Sequence, residues 1–337
     1  MLEAFELGAP GLQGMGWLGA LADKLAIKLA GGLLEVHQFA DGNASIIRLL
    51  VHKLIPAVAP GTSGFEDIAT SRFDYRALDR DDQTTRIRLD STVVGAREKG
   101  GDRVEVDYVQ KGRALRVTAK QCVLACYNGI IPHLCPELPD AQKEALRYGV
   151  KVPFVYANVV LRSGRAFSKL GATRVDCPED PFIMLASAPP TTTGGYEPPR
   201  GPDDPMVVLM MASPTPAPQA GETTRELYRL GRHQIYSTPF ATYEQQIRDQ
   251  LQALLGAHGF DHENDIRAIT VNRIPHGYAY EYMALEDPEW GEGQAPHGIG
   301  RAPFGRISIA NSDSEASAYL DAAINAAWRA VQEQTAN

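Results

Sequence analysis

The chain has 337 residues, 44% of them hydrophobic and 22% charged, which is enough to bury one large core or two of ordinary size. A formal net charge of -8 argues against non-specific nucleic-acid binding, which needs a basic face. No stretch approaches the roughly 20 apolar residues of a membrane span, and Glu3 and Glu6 stand where a secretory signal would be positive, so the expectation is a soluble, by default cytoplasmic, chain.

Along the chain, Leu18, Leu21, Leu25 and Leu29 have helical spacing, and Gly31-Gly32 ends that helix. An extended piece follows from Leu33 to Phe39, then a turn at Ala40-Asp41-Gly42-Asn43. A helix from Ala44 to Leu54 has Asp41, Asn43 and Ser45 as candidate caps and Pro56 as its stop. From Thr85 the alternation of apolar and polar residues predicts a meander, Arg86 to Ala96, Arg103 to Val109 and Ala114 to Ala125, with Lys111-Gly112 as a hairpin turn. Cys122-Val123-Leu124-Ala125-Cys126 is apolar on both faces, as in a buried central strand. A short helix at Ala141 to Tyr148, a strand at Val152 to Leu161 and a long irregular stretch over 176–220 come next. Then follow a helix at Tyr243 to His258 and a strand at Ile266 to Ile274. The chain closes on a strand at Arg306 to Ala310, a turn at Asn311 to Ser314 and a helix at Glu315 to Gln334.

The cysteines, Cys122, Cys126, Cys135 and Cys177, form no C-x-x-C pair, and the histidines are not clustered at ligand spacing. Reduced, mostly buried thiols are expected, and no metal site. Gly14-Met15-Gly16-Trp17-Leu18-Gly19 fits G-x-G-x-x-G, but the preceding Glu6-Leu7-Gly8-Ala9-Pro10-Gly11 is no core strand. That motif holds a pyrophosphate only between a buried strand and a helix, so the reading here is a flexible glycine loop. The terminal strand–turn–helix is stronger, because it aims free N–H groups and a positive dipole end at whatever sits above the sheet. The plain alternative is a capped helix with Asp313 or Ser314 as N-cap. Along that helix, Tyr319, Ala323, Ala327 and Val331 make an apolar stripe, and Ala318, Ala322 and Ala326 a small one.

The run Phe304-Gly305-Arg306-Ile307-Ser308-Ile309-Ala310-Asn311-Ser312-Asp313, continuing to Ile324, resembles the last FAD-binding segment of flavin-containing amine oxidases, and most of all that of the bacterial spermidine dehydrogenases. The resemblance implies that Asp313 and the backbone around Ala310, Asn311 and Ala318 lie at the cofactor. Val36 to Ile46 resembles the family's Pro-x-Gly-Gly segment beside the flavin, with Asp41, Gly42 and Asn43 in its place. Leu89 to Ala96 and the Cys122–Cys126 strand resemble the adenine-side strands, so that Val93 would meet the adenine through its backbone and Ala125 would approach the pyrophosphate. The implied fold is α/β, the C-terminal half of an amine-oxidase-type FAD-binding fold with a β-rich substrate domain. Residues 1–135 are a helical segment and partial FAD-binding region, 136–300 the substrate domain, and 301–337 the closing strand and helix.

Oxidation of an amine removes a hydride equivalent from the carbon beside a neutral nitrogen, so the site must desolvate and orient a substrate that arrives as an ammonium ion. Tyr278, Tyr280 and Tyr282 alternate, hence share a face if extended, with Glu281 facing the other way; packing of a core is the alternative reading. The resemblance adds Lys151, where the family's lysine holds a water against the flavin. His37 is a further catalytic candidate, with a core or capping role as its alternative. No cysteine follows Cys177, so FAD is expected to be non-covalent. Spermidine dehydrogenases can also carry haem, for which no residue here identifies a ligand. The family's strand-borne G-x-G-x-x-G is missing, so a partner chain supplies that half or the chain is a truncated product. The expected reaction is oxidation of an amine, a polyamine such as spermidine among the candidates, to an imine. The alternatives are a non-catalytic subunit of the same fold and a flavin-dependent desaturase acting on an amino-acid-derived substrate.

Overall fold

The computed structural model describes residues 42–192 and 195–335, in two units, residues 42–90 with 282–293 and residues 91–281 with 294–335. His37, Asp41 and the glycines between Gly14 and Gly19 lie outside the described residues. The mixed helix-and-sheet class expected from the sequence is what the structure shows. Among the described residues no helix is long and apolar enough to cross a membrane.

In the first unit Gly42 takes a positive φ of 69° and turns the chain into α1 (Ala44–Leu54). Asn43 holds the N-cap position without a side-chain cap bond. Pro56 forces Ile55 out of the helical region and ends α1. The short helix α2 (Phe65–Thr70) follows, and Ile55, Val58, Ala59, Ile68 and Leu78 form a small core. Arg48 lies 4.4 Å above the Phe73 ring and donates to the Ser71 carbonyl. Within residues 282–293, Tyr282 meets Trp290 edge-on at 5.6 Å, and buried Asp287 accepts from the Met283 N–H at 2.9 Å.

The second unit opens with an antiparallel meander, β1 (Ser91–Lys99), β2 (Arg103–Gln110) and β3 (Arg113–Ala119). Lys111 and Gly112 both take positive φ, 49° and 71°, the geometry of a two-residue hairpin turn. The expected third strand is two strands. The chain breaks at Lys120 and Gln121, and β4 (Cys122–Leu124) leaves the meander to pair in parallel with a strand from the far end of the chain. The expectation of a strand buried on both faces is corrected: Leu124 is buried, but Val123 is 41% exposed, because β4 has only one strand beside it and packs through one face. After Pro139 comes α3 (Asp140–Tyr148), whose Leu146 joins Ala96, Val104, Leu124 and Ile131 in one core.

β5 (Val152–Leu161) buries every second residue, from Pro153 to Leu161. It is flanked by β8 and β9 in a five-stranded antiparallel sheet of order β6-β7-β8-β5-β9. Between β5 and β6 (Arg174–Asp176) lies α4 (Arg165–Leu170). The stretch expected to be irregular contributes β7 (Met184–Ser187) and β8 (Met206–Ala212), the latter being its one apolar run. Two helices then cover the sheet, α5 (Thr224–Ser237) and α6 (Phe240–Leu255); their Ile235, Ile247 and Leu251 pack on Val155, Ala157 and Val159. β9 (Ile266–Tyr278) is the edge strand, which is why Pro275 is tolerated within it. Finally β10 (Ile307–Ile309), wholly buried, pairs residue for residue with β4, and α7 (Leu320–Thr335) packs Ala326 and Ala330 on Ala310. The small stripe of α7 is the buried one, shifted to Ala322, Ala326 and Ala330, while Val331 is exposed.

Candidate functional site

The parallel pair β4–β10 delivers two loops to one end of the strands. Asn311 ties them together: its amide nitrogen donates to the Cys126 carbonyl at 2.6 Å and to Asn128 Oδ1 at 2.8 Å. Its Oδ1 accepts from the Ser314 N–H at 2.9 Å. Asn311, not Asp313 or Ser314, is therefore the capping residue, and it caps a single 3-10 turn, Ser312–Glu315. Ala316 then takes a left-handed φ of 47°, so the long helix starts at Leu320 rather than at Glu315.

This reset frees Asp313 from capping. Its side chain is 2% exposed, and its Oδ1 lies 2.9 Å from Lys151 Nζ, itself 15% exposed. The Asn128 N–H reaches the other oxygen at 3.4 Å. Oδ1 has charge compensation but no donor in hydrogen-bond alignment. Beyond the turn, the Ala318 N–H donates to Glu281 Oε1 at 2.8 Å. Burial pushes the neighbouring Cys126 thiol up from its usual range, its backbone hydrogen bond works the other way, and the negative charge of Asp313 adds a smaller push upward.

On the other side of Lys151 lies Tyr127, whose ring centroid is 5.4 Å from Lys151 Nζ and 5.9 Å from the Arg232 guanidinium. Arg232 is held by neutral oxygens: Tyr127 Oη at 3.3 Å, the Lys151 carbonyl at 2.9 Å and the Pro275 carbonyl at 3.2 Å. His276 stacks at a tilt on Tyr127 with centroids 5.1 Å apart. Burial, then repulsion from Arg232 and Lys151, holds its imidazole below the usual histidine range, hence neutral at pH 7. Tyr127, Arg232 and His276 border an open cleft of about 350 Å³ that Arg147, Arg229 and His133 also line.

The sequence-derived residues fall as follows. Lys151 pairs with Asp313, Asn311 and Asp313 both meet Asn128, and Glu281 meets Ala318 in a contact of its own. The Ala310 N–H donates to the Leu124 carbonyl at 3.0 Å, and Ala125, next in the chain after Leu124, is exposed. Val93 lies on the meander, paired with Tyr108 just before a bulge. Tyr278 ends β9 opposite Val152, so the alternation suggested by the sequence stops there. Tyr280 is buried edge-on against Tyr148, at 5.9 Å between centroids, while Tyr282 belongs to the other unit, as do Gly42 and Asn43. The sequence reading missed α5 and with it Arg229 and Arg232. The signal was present: Thr223 and Glu226 form a reciprocal capping box, and Arg225, Arg229 and Arg232 repeat at helical spacing behind it.

No family model matches the chain, and no curated protein matches it. The solved structures it is similar to include oxidases of amines. A double mutant from a redesign of cofactor binding in putrescine oxidase aligns with a TM-score of 0.48 at 13% identity, over 73% of this chain and 49% of that one. Cyclohexylamine oxidase from Brevibacterium oxydans aligns at 0.47 and 13% identity, over 72% and 47%. Wild-type putrescine oxidase bound to putrescine aligns at 0.47 and 13% identity, over 73% and 49%. The chain spans about half the length of the solved structures it matches.

Proposed function

We propose that this chain is the substrate-enclosing part of an FAD-dependent amine oxidase, working with a nucleotide-binding half carried on a partner chain. The observation that supports the reading most is the meeting of Asp313 with Lys151 and of Ala318 with Glu281, in the segment whose sequence resembles a flavin-binding one. FAD suits these residues: buried Asp313 Oδ1 lacks an aligned donor, which a ribityl hydroxyl would be, and the Ala318 N–H can serve a carbonyl oxygen. When bound, the flavin supplies the acceptor for a hydride equivalent from the carbon beside the amine nitrogen.

The chain's own residues do the rest. Glu281, once released from the Ala318 N–H, is a carboxylate that can hold an ammonium group or take its proton. Tyr280, 4% exposed and packed edge-on against Tyr148, is an aromatic anchor that stiffens the chain carrying Glu281. For a polyamine such as spermidine, Glu281 is the group to anchor a distal ammonium. A second reading, an amino-acid-derived substrate, is favoured by the arginine-lined cleft at Tyr127, which repels a polycation and attracts a carboxylate. The test is anaerobic mixing of the FAD-loaded assembly with butylamine, spermidine and an aliphatic amino acid, following loss of the flavin's visible absorbance. Bleaching by at least one of these is expected. If all three leave the flavin oxidised while dithionite reduces it, the reading fails.

A further inference from the structure

We propose that the cleft over Tyr127 is a binding site for the anionic oxygens of a small ligand, a carboxylate or a phosphate. Five separate pieces of chain build it: the loop after β4, the short helix at Ile131–Leu134, the last turn of α3, the middle of α5 and the end of β9. They bring together Arg147, Arg229, Arg232, His133 and His276, and among the described residues no carboxylate lines the cleft. Among the described residues Arg147 and Arg229 make no hydrogen bond or ion pair there, and Glu226 acts on Arg229 only as a neighbouring charge. Arg232 spends its bonds on three neutral oxygens, which fix the guanidinium in place and leave its charge uncompensated.

That arrangement costs stability unless a counter-charge arrives. Arg229 and Arg232 stand at i and i+3 on one face of α5, a spacing at which like charges repel. Arginine forks match the two oxygens of a carboxylate or the face of a phosphate, and two histidines can add donors. Ile130 and Val150 give the cleft an apolar side, and its volume suits a ligand of a few carbon atoms rather than a polymer. The anionic group belongs either to the carboxylate of the amine substrate, an assignment that rests on the function proposed above, or to a phosphate-bearing ligand. The cleft itself needs neither assumption.

The test is isothermal calorimetry of the full chain, without flavin, against succinate, inorganic phosphate and putrescine. Succinate or phosphate should bind, with affinity falling steeply as salt rises, and putrescine should not. Succinate alone would mark a carboxylate ligand, phosphate alone a phosphate-bearing one, and both a site that reads charge; each supports the cleft. Arg147→Gln with Arg229→Gln should weaken the bound anion by ~10-fold or more at a melting temperature no lower than that of wild type, since the change relieves repulsion among the arginines and gives up only the neighbouring charge of Glu226. The Arg→Lys pair, keeping charge but losing the fork, should fall between. Failure of both anions to bind, or equal affinity in the Gln variant, would overturn the proposal. Flavin plays no part in this titration, so a negative result here leaves the amine-dependent bleaching to stand or fall by itself.

Discussion

Replacing Lys151 with Met is expected to lower the unfolding free energy by about 3 kcal/mol, at the lower end of the range for breaking a buried ion pair. Asp313 is 2% exposed, and once Lys151 Nζ is gone its nearest donor is the Asn128 N–H at 3.4 Å, too long to stabilise a buried carboxylate. The lysine is 15% exposed and keeps some hydration, which is why the lower end applies. Removing both charges tells a different story. Lys151→Met with Asp313→Leu takes away the carboxylate that the single variant strands, and most of the loss should return. Urea unfolding of the wild type, the single and the double variant checks this. A single variant within about 0.5 kcal/mol of wild type, the ordinary size of a surface change, would mean that the pair carries no structural charge compensation.

Gly231→Ala is expected to destabilise the chain by about 2 kcal/mol despite giving α5 a better helix former. Alanine in a helix gains up to about 1 kcal/mol over glycine, but a methyl at this position falls within the Pro214 carbonyl oxygen and 2.8 Å from Pro153 Cγ. One of those atoms is backbone and cannot rotate away, so overpacking costs about 1–3 kcal/mol or more. The relief available is for α5 to lift from β5, which carries Arg229 and Arg232 away from Tyr127. The variant should therefore melt lower and bind the anion more weakly with every arginine intact. A melting temperature at or above that of wild type would show that α5 does not need this close approach.

The meander was legible because alternation and the Lys111-Gly112 turn are local signals, fixed by neighbours in sequence. The terminal segment was legible too, down to a small-residue stripe on α7, although the left-handed Ala316 displaced the helix start and the cap. What stayed hidden was non-local. The parting of β4 from β3 follows from a partner strand almost at the other end of the chain, and nothing near Lys120 announces it. Likewise Lys151 stands on the approach to β5 and Asp313 on the loop after β10, so only the folded chain pairs them. Tyr278, Tyr280 and Tyr282 misled because alternation implies a shared face only while the strand lasts, and β9 ends at the first of them. Helix α5 was overlooked for another reason: glycines and prolines just upstream suggested a continuing loop, and the Thr223–Glu226 box that reverses that impression is four residues long.

The central claim, that the turn at Asn311–Ala318 holds one side of a flavin, is tested most directly by titrating FAD against this chain alone, against the nucleotide-binding half alone, and against the two together. Visible absorbance after gel filtration reads the retained cofactor. The proposed function puts the main pyrophosphate contacts on a partner half, so the chain alone should come through colourless or nearly so. The assembly should retain FAD at one per pair, with Asp313→Asn retaining measurably less at a temperature where it stays folded. Equal retention by the nucleotide-binding half with and without this chain, or no retention by any combination, would contradict the account.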